Sequence, residues 1–241
     1  MKKLIFAFLL AVAPMAGMAS GDVHLDDADI DLGDQASLQR GARLFVNYCL
    51  SCHSARFERY NRMARDLGLT KEEVTKNLMF ASEKIGDTMT IAMKPEHSAK
   101  WFGKTPPDLS VVTRARGVDW IYTYLRSFYL DPSRPFGVNN TVFKDVGMPD
   151  ALEELQGTQR AVFQEHEEGH KVFEKFEQVK PGLMSPEEFD SAVRDLTAFL
   201  AYVGEPIQME RKRLGVWVLL FIAIFWVLAY FLKKEYWKDV H

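Results

Sequence analysis

The chain has 241 residues, 26% of them charged and 47% apolar, with 30 basic residues against 33 acidic ones and a formal net charge of −3. That length suits one generous domain with appendages, and the composition is that of a folded protein rather than a fibrous or disordered one. Between Ser20 and Glu210 there are 22 basic residues against 31 acidic ones, a balance that repels nucleic acid, steers basic partners and leaves no nucleic acid expected as a ligand.

Lys2 and Lys3 precede an apolar run from Leu4 to Val12, and Gly17-Met18-Ala19 supplies small residues before a cleavage point. Residues 1–19 read as a secretory signal peptide, because so short an apolar run cannot span a bilayer. Residues 20–35, rich in Asp and Gly, read as an extended arm. Leu38 to Tyr48 reads as a helix with Leu38, Phe45 and Val46 on one side. Gly41 weakens that helix, and its expected use is close packing against an aromatic residue of another helix.

The helix delivers Cys49-Leu50-Ser51-Cys52-His53, which is Cys-x-x-Cys-His, the attachment pattern of a c-type haem. Residues three apart share a helix face, so both thiols can form thioethers with the two vinyl groups of one porphyrin. His53 then presents an imidazole nitrogen to the iron from the same side. A zinc site needs more ligands, and the chain has no third cysteine; a dithiol redox pair does not need the histidine. Both cysteines belong to this motif, so none is left for a structural disulfide.

Ser54 to Leu67 again has a helical pattern with several arginines. Thr70 and Glu73 form a capping box for a helix through about Phe80. Residues 81–104 read as irregular. Thr105-Pro106-Pro107-Asp108-Leu109-Ser110 is a rigid corner that can wall one side of a haem. Arg114 and Arg116 follow, and a planar guanidinium suits a haem propionate. Asp119 to Phe128 is an amphipathic aromatic helix stopped by Asp131-Pro132. Residues 130–149 form a long loop ending in Gly147-Met148-Pro149. Residues 151–183 are Glu-rich and read as a surface insertion with no clear element. Ser185-Pro186-Glu187-Glu188 starts a helix whose buried stripe is Phe189, Val193, Leu196, Leu200 and Val203.

Leu214 to Leu232 is an unbroken uncharged run covering roughly 28 Å, the thickness of a bilayer core. Cationic clusters at both ends mark it as a membrane span. With an exported N-terminus, the bulk of the chain lies outside the cytoplasm and the tail inside. The expected division is a signal peptide (1–19), a periplasmic haem domain (20–210), a transmembrane anchor helix (211–232) and a cytoplasmic tail (233–241). The expected fold is mainly α, a cytochrome c-type domain with long loops plus one C-terminal transmembrane helix.

Iron held by one histidine needs a second axial ligand or stays open. Methionine suits electron transfer, and the candidates after the motif are Met63, Met79, Met89, Met93, Met148 and Met184, with His97 as a second-histidine option. Met63 and Met79 fall in helices and fit a core. Met148, between glycine and proline on a loop, is favoured over Met93.

Leu38-Gln39-Arg40-Gly41, Cys49 to His53, Pro106 to Ser110 with Arg114-Ala115-Arg116, Gly147-Met148-Pro149 and Arg211-Lys212-Arg213-Leu214-Gly215 occur in that order. With this set the chain resembles the cytochrome c1 family, the haem subunits of bacterial quinol–cytochrome c reductase. The resemblance implies one covalent haem c on Cys49 and Cys52, axial ligands His53 and Met148, a propionate contact from Arg116, and haem walls at Pro106 and Pro107. It implies an electron-transfer subunit of the reductase, doing no bond chemistry itself. Electrons would pass from the Rieske iron–sulfur subunit to cytochrome c, with cytochrome b beside the anchor in the plasma membrane and a dimeric complex. The alternatives are a stand-alone anchored cytochrome feeding a terminal oxidase, and a haem sensor or enzyme with an open iron site.

Overall fold

A computed structural model describes residues 23–165 and 171–239; the expected signal peptide lies outside them. An arm without regular structure, residues 23–34, leads into α1 (Gln35–Leu44), where Asp34 caps the helix by accepting from the Ser37 amide at 3.1 Å. Instead of ending at Leu44, the helix widens into a π turn, Phe45–Cys49, closed by the Leu50 N–H donating to the Phe45 carbonyl.

β1 (Ala55–Arg59), α2 (Tyr60–Asp66) and α3 (Lys71–Asn77) follow, then β2 (Thr88–Met89), antiparallel to β1. The single helix expected over 54–67 is therefore a strand and then a short helix. The Arg56 and Phe57 amides donate to the Asp108 carboxylate and the Ser110 hydroxyl, so they are taken from any helical ladder. The Thr70–Glu73 capping box of α3 is present in both directions.

The stretch expected to be irregular over 81–104 also contains α4 (Pro95–Phe102), with Pro95 in its first turn and Gly103 in the left-handed conformation (φ 71°) at its end. α5 (Val112–Arg116) and α6 (Val118–Arg126) come next, then a small hairpin of β3 (Phe128–Leu130) and β4 (Val138–Asn140) inside the expected loop. The segment read as a surface insertion is α7 (Glu153–Gln156) and a long antiparallel hairpin of β5 (Gly157–Glu165) and β6 (Lys171–Pro181). α8 (Pro186–Gly204) opens with the Ser185–Glu188 capping box, and α9 (Gln208–Tyr236) completes the described chain. Helices make up about half of the described residues, so the mainly α expectation holds only roughly beside the three small antiparallel sheets found among them.

α8 is the axle, with α1, α5 and α6 lying on it. Gly41 sits at the crossing of α1 with α8. A Cβ there would fall on the Asp195 carbonyl and 2.7 Å from the Cβ of Phe199, the aromatic neighbour its helix position called for. Phe45 meets Phe199 with ring centroids 5.5 Å apart. Asp195, on α8 and buried, accepts from Ser37 Oγ at 2.6 Å and from the Arg40 guanidinium. The N-terminal arm laces the other side: the Asp26 and Ala28 amides donate to Thr123 and Asp119 of α6, and Arg194 of α8 donates to the Ala28 carbonyl.

α9 runs 29 residues, its most apolar window has a mean hydropathy of 2.5, and none of that window is buried. It is long and apolar enough to cross a membrane, and its place at the C-terminal end fits a single-pass anchor. Glu205, at the joint between α8 and α9, accepts from Arg211 of α9 and Arg114 of α5. The Arg211 guanidinium, reinforced by Arg114, holds the Glu205 carboxyl down to about 2.

Two stability tests follow from the core. Gly41→Ala should cost ~1–3 kcal/mol of overpacking at the α1–α8 crossing, read as a lower denaturant midpoint of the detergent-solubilised chain. The second concerns Glu58, which is fully buried; its Oε1 lies 3.4 Å from the Tyr202 hydroxyl, which also donates to Asp66 at 3.0 Å. Burial, against the pull of Arg62, pushes the Glu58 carboxyl up to about 7. Its protonated form is favoured by folding, so its stabilisation is whole below about pH 4.5 and lost as pH rises toward 7. Glu58→Gln should therefore gain stability relative to the native sequence across that window, on the order of 1–3 kcal/mol in paired unfolding curves. Parallel curves would rule out the buried carboxyl as the cause.

Candidate functional site

A cavity of about 330 Å³ opens where the π turn, the Pro106–Pro107 corner, α6 and the Met148 loop meet. Cys49, Cys52, His53, Pro106, Pro107, Arg116 and Met148 all border it. Thus the residues singled out in four separate stretches of sequence share one space, within the range typical of ligand sites.

The near wall is built by backbone hydrogen bonds. The Cys52 and His53 amides both donate to the Cys49 carbonyl, at 3.0 and 2.8 Å, which winds the motif into one turn. His53 Nδ1 lies 2.7 Å from the Pro107 carbonyl. A carbonyl only accepts, so Nδ1 carries the hydrogen and Nε2 keeps its lone pair. Burial pushes the imidazole down, against the opposing pull of the Pro107 carbonyl and Asp108, which keeps Nε2 unprotonated at neutral pH. The corner itself is pinned to the motif and to β1: Leu109 N–H donates to the Ser54 carbonyl at 2.8 Å, and Asp108 accepts from the Arg56 amide and guanidinium at 3.1 Å each.

Burial pushes the Cys49 thiol up to about 12, with Cys52 adding to the effect. A thiol so held is a poor thiolate, which argues against a thiol–disulfide catalyst. Among the described residues no group of three or more His, Cys, Asp and Glu could hold a metal ion.

The far wall is aromatic. Trp120 stacks on Tyr124 at 4.9 Å and 10°, and Phe143 meets Trp120 edge-on at 6.2 Å. The Tyr124 hydroxyl donates to the Met148 sulfur at 3.3 Å. The Arg116 guanidinium lies 5.1 Å from the Trp120 ring centre and 5.8 Å from that of Phe143, and among the described residues it pairs with no carboxylate. Arg114 is different: it pairs with Glu205 at 2.8 Å and does not border the cavity.

The other ligand candidates lie elsewhere. Met63, Met79 and Met89 are buried in the core, Met184 packs against it, and Met93 and His97 do not border the cavity. Trp120, Tyr124 and Phe143 went unnamed in the sequence reading. The aromatic stripe of the 119–128 helix was the available signal for the first two, whereas Phe143 sits in a loop with no period. An apolar cavity offering one imidazole lone pair, one thioether, two adjacent thiols and a guanidinium with no carboxylate partner among the described residues fits a covalently attached haem.

This site, carried on a domain with one apolar C-terminal helix, has the layout of a membrane-anchored c-type cytochrome. The model of the Cytochrome C1 family matches residues 29–240. Over the whole of both chains, 54% of residues are identical to a cytochrome c1 of Allochromatium vinosum. A protein of Nitrosomonas europaea named ammonia monooxygenase gamma subunit is 47% identical across all of this chain and 98% of that one. A cytochrome c1 of Blastochloris viridis is 27% identical across 98% of this chain and 95% of its own. The chain belongs to the cytochrome C1 family, and with it to the c-type electron carriers of respiratory chains.

Asp108 is mostly buried and also accepts from the Ser110 amide at 2.9 Å. Despite its burial, these hydrogen bonds from Ser110 and Arg56 hold its carboxyl below the ordinary range. Asp108→Ala should loosen the corner that orients His53, costing ~1–3 kcal/mol. The expected readout is earlier thermal loss of the haem-region visible circular dichroism, with the far-ultraviolet signal lost later.

Proposed function

We propose that this chain carries single electrons from a Rieske iron–sulfur subunit to a cytochrome c, as part of a dimeric quinol–cytochrome c reductase with a cytochrome b. One observation carries the proposal: the Cys-x-x-Cys-His turn and Met148 border the same apolar cavity. Cys49 and Cys52 would hold the haem by thioethers, His53 and Met148 would ligate its iron, Arg116 would meet a propionate, and Pro106 and Pro107 would line one side. When bound, the haem supplies a one-electron ferric–ferrous couple.

The chain's own residues do the rest. The Pro107 carbonyl orients His53 and makes its free nitrogen a better donor. The apolar walls exclude water and disfavour the more highly charged ferric state, which raises the potential. Ser20 to Glu210, with its acidic excess, steers a basic acceptor. In this reading residues 20–210 face the periplasm, 211–232 cross the inner membrane and 233–241 end in the cytoplasm.

Met148→Leu should lower the midpoint potential by more than ~59 mV, a tenfold change in the reduction equilibrium, and admit carbon monoxide to the ferrous form. An unchanged potential and spectrum would refute Met148 as ligand. Purification in mild detergent should bring down b-type haem and quinol–cytochrome c reductase activity with the chain. A lone c-type haem would favour the stand-alone anchored shuttle.

A further inference from the structure

We infer that Tyr124 is a positioning residue for electron transfer: its hydroxyl donates to the Met148 sulfur and so sets how strongly that sulfur binds iron, an inference that rests on the proposed ligation by Met148. A thioether sulfur has two lone pairs and no hydrogen. One pair engaged by iron leaves the other for a donor, and the direction of the hydrogen bond is fixed. In the structure that donor is Tyr124, with 3.3 Å between hydroxyl and sulfur.

The tyrosine is held for this contact. Trp120 covers one face of its ring at 4.9 Å, and buried Phe128 meets the ring at 5.2 Å and 66°. Asn140 Nδ2 donates to the Tyr124 carbonyl at 2.8 Å, tying the residue's backbone to the β3–β4 hairpin. Among the described residues no other group hydrogen-bonds to the hydroxyl.

The electronic effect has a sign. A hydrogen bond draws electron density from the sulfur, and the ferric ion depends on that density more than the ferrous ion does. The donor therefore favours the reduced state and raises the potential, by the second-shell route that tunes metal centres generally.

The test is a redox titration of the full chain in its complex, alongside the long-wavelength methionine–iron absorption of the ferric form. Tyr124→Phe should keep that absorption and lower the potential by a three- to tenfold change in the reduction equilibrium, up to ~59 mV. Fluorotyrosine placed at 124, a stronger donor of nearly the same size, should raise the potential. Trp120→Phe, which leaves the hydroxyl in place, should keep the absorption and move the potential less than Tyr124→Phe does. Opposite shifts from the first two are not expected of a merely structural role. An unchanged potential in both, or loss of the absorption in Tyr124→Phe, overturns the inference and leaves Met148 as ligand standing. Absence of the absorption in the native protein, or its persistence in Met148→Leu, overturns the ligand assignment and the inference with it. If Tyr124→Phe fails to assemble, the fluorotyrosine protein decides: a rise supports the inference, and no change or a fall overturns it.

Discussion

Where α1 crosses α8, no side chain fits between the two backbones. A Cβ on Gly41 would fall on the Asp195 carbonyl, so the spacing of the two helices is set by the absence of an atom. Ser37 and Arg40, three residues apart on one face of α1, both bond the Asp195 carboxylate and fix how the helices slide along one another. α1 carries the motif turn at its C-terminal end; α8 contributes Leu200 to the cavity and leads, beyond Gly204, into the apolar helix. Cofactor turn and anchor are thus both placed by this crossing.

The two walls of the cavity are rigid for different reasons. The motif turn and the proline corner are held by main-chain groups: the Pro107 carbonyl on His53 and the Leu109 amide on the Ser54 carbonyl. The far wall is held by stacked rings around Trp120 and Tyr124. The first wall therefore depends mostly on how the main chain runs, with the Asp108 carboxylate as its side-chain pin, whereas the second depends on the shapes of individual rings.

Much of this arrangement could be read from the sequence, because its signals are local. Cys-x-x-Cys-His, the Pro106–Pro107 pair and the Gly147-Met148-Pro149 tripeptide each declare a geometry within a few residues, and the capping boxes at Thr70 and Ser185 mark where helices start. What escaped depends on distant partners. β1 is a strand because Asp108 and Ser110, some fifty residues on, take its amides. In the β5–β6 hairpin the apolar residues cluster as Ala161-Val162-Phe163 and Val172-Phe173 rather than alternate, and register shifts between Thr158 and Gln159 and between Val162 and Phe163 interrupt its period of two. The aromatic stripe of α6 was visible, yet which ring touches the Met148 sulfur is decided by a loop more than twenty residues further along.

The π turn from Phe45 to Cys49 closes on the fifth residue rather than the fourth. Each residue of an α-helix advances the chain by ~100° about the axis, so one extra residue in a turn swings everything after it by about that much. The azimuth of the two thiols is therefore an arithmetic property of main-chain hydrogen bonding. A five-residue motif grafted onto an unbroken helix of the same composition would keep every functional side chain and aim them a quarter-turn away from the cavity.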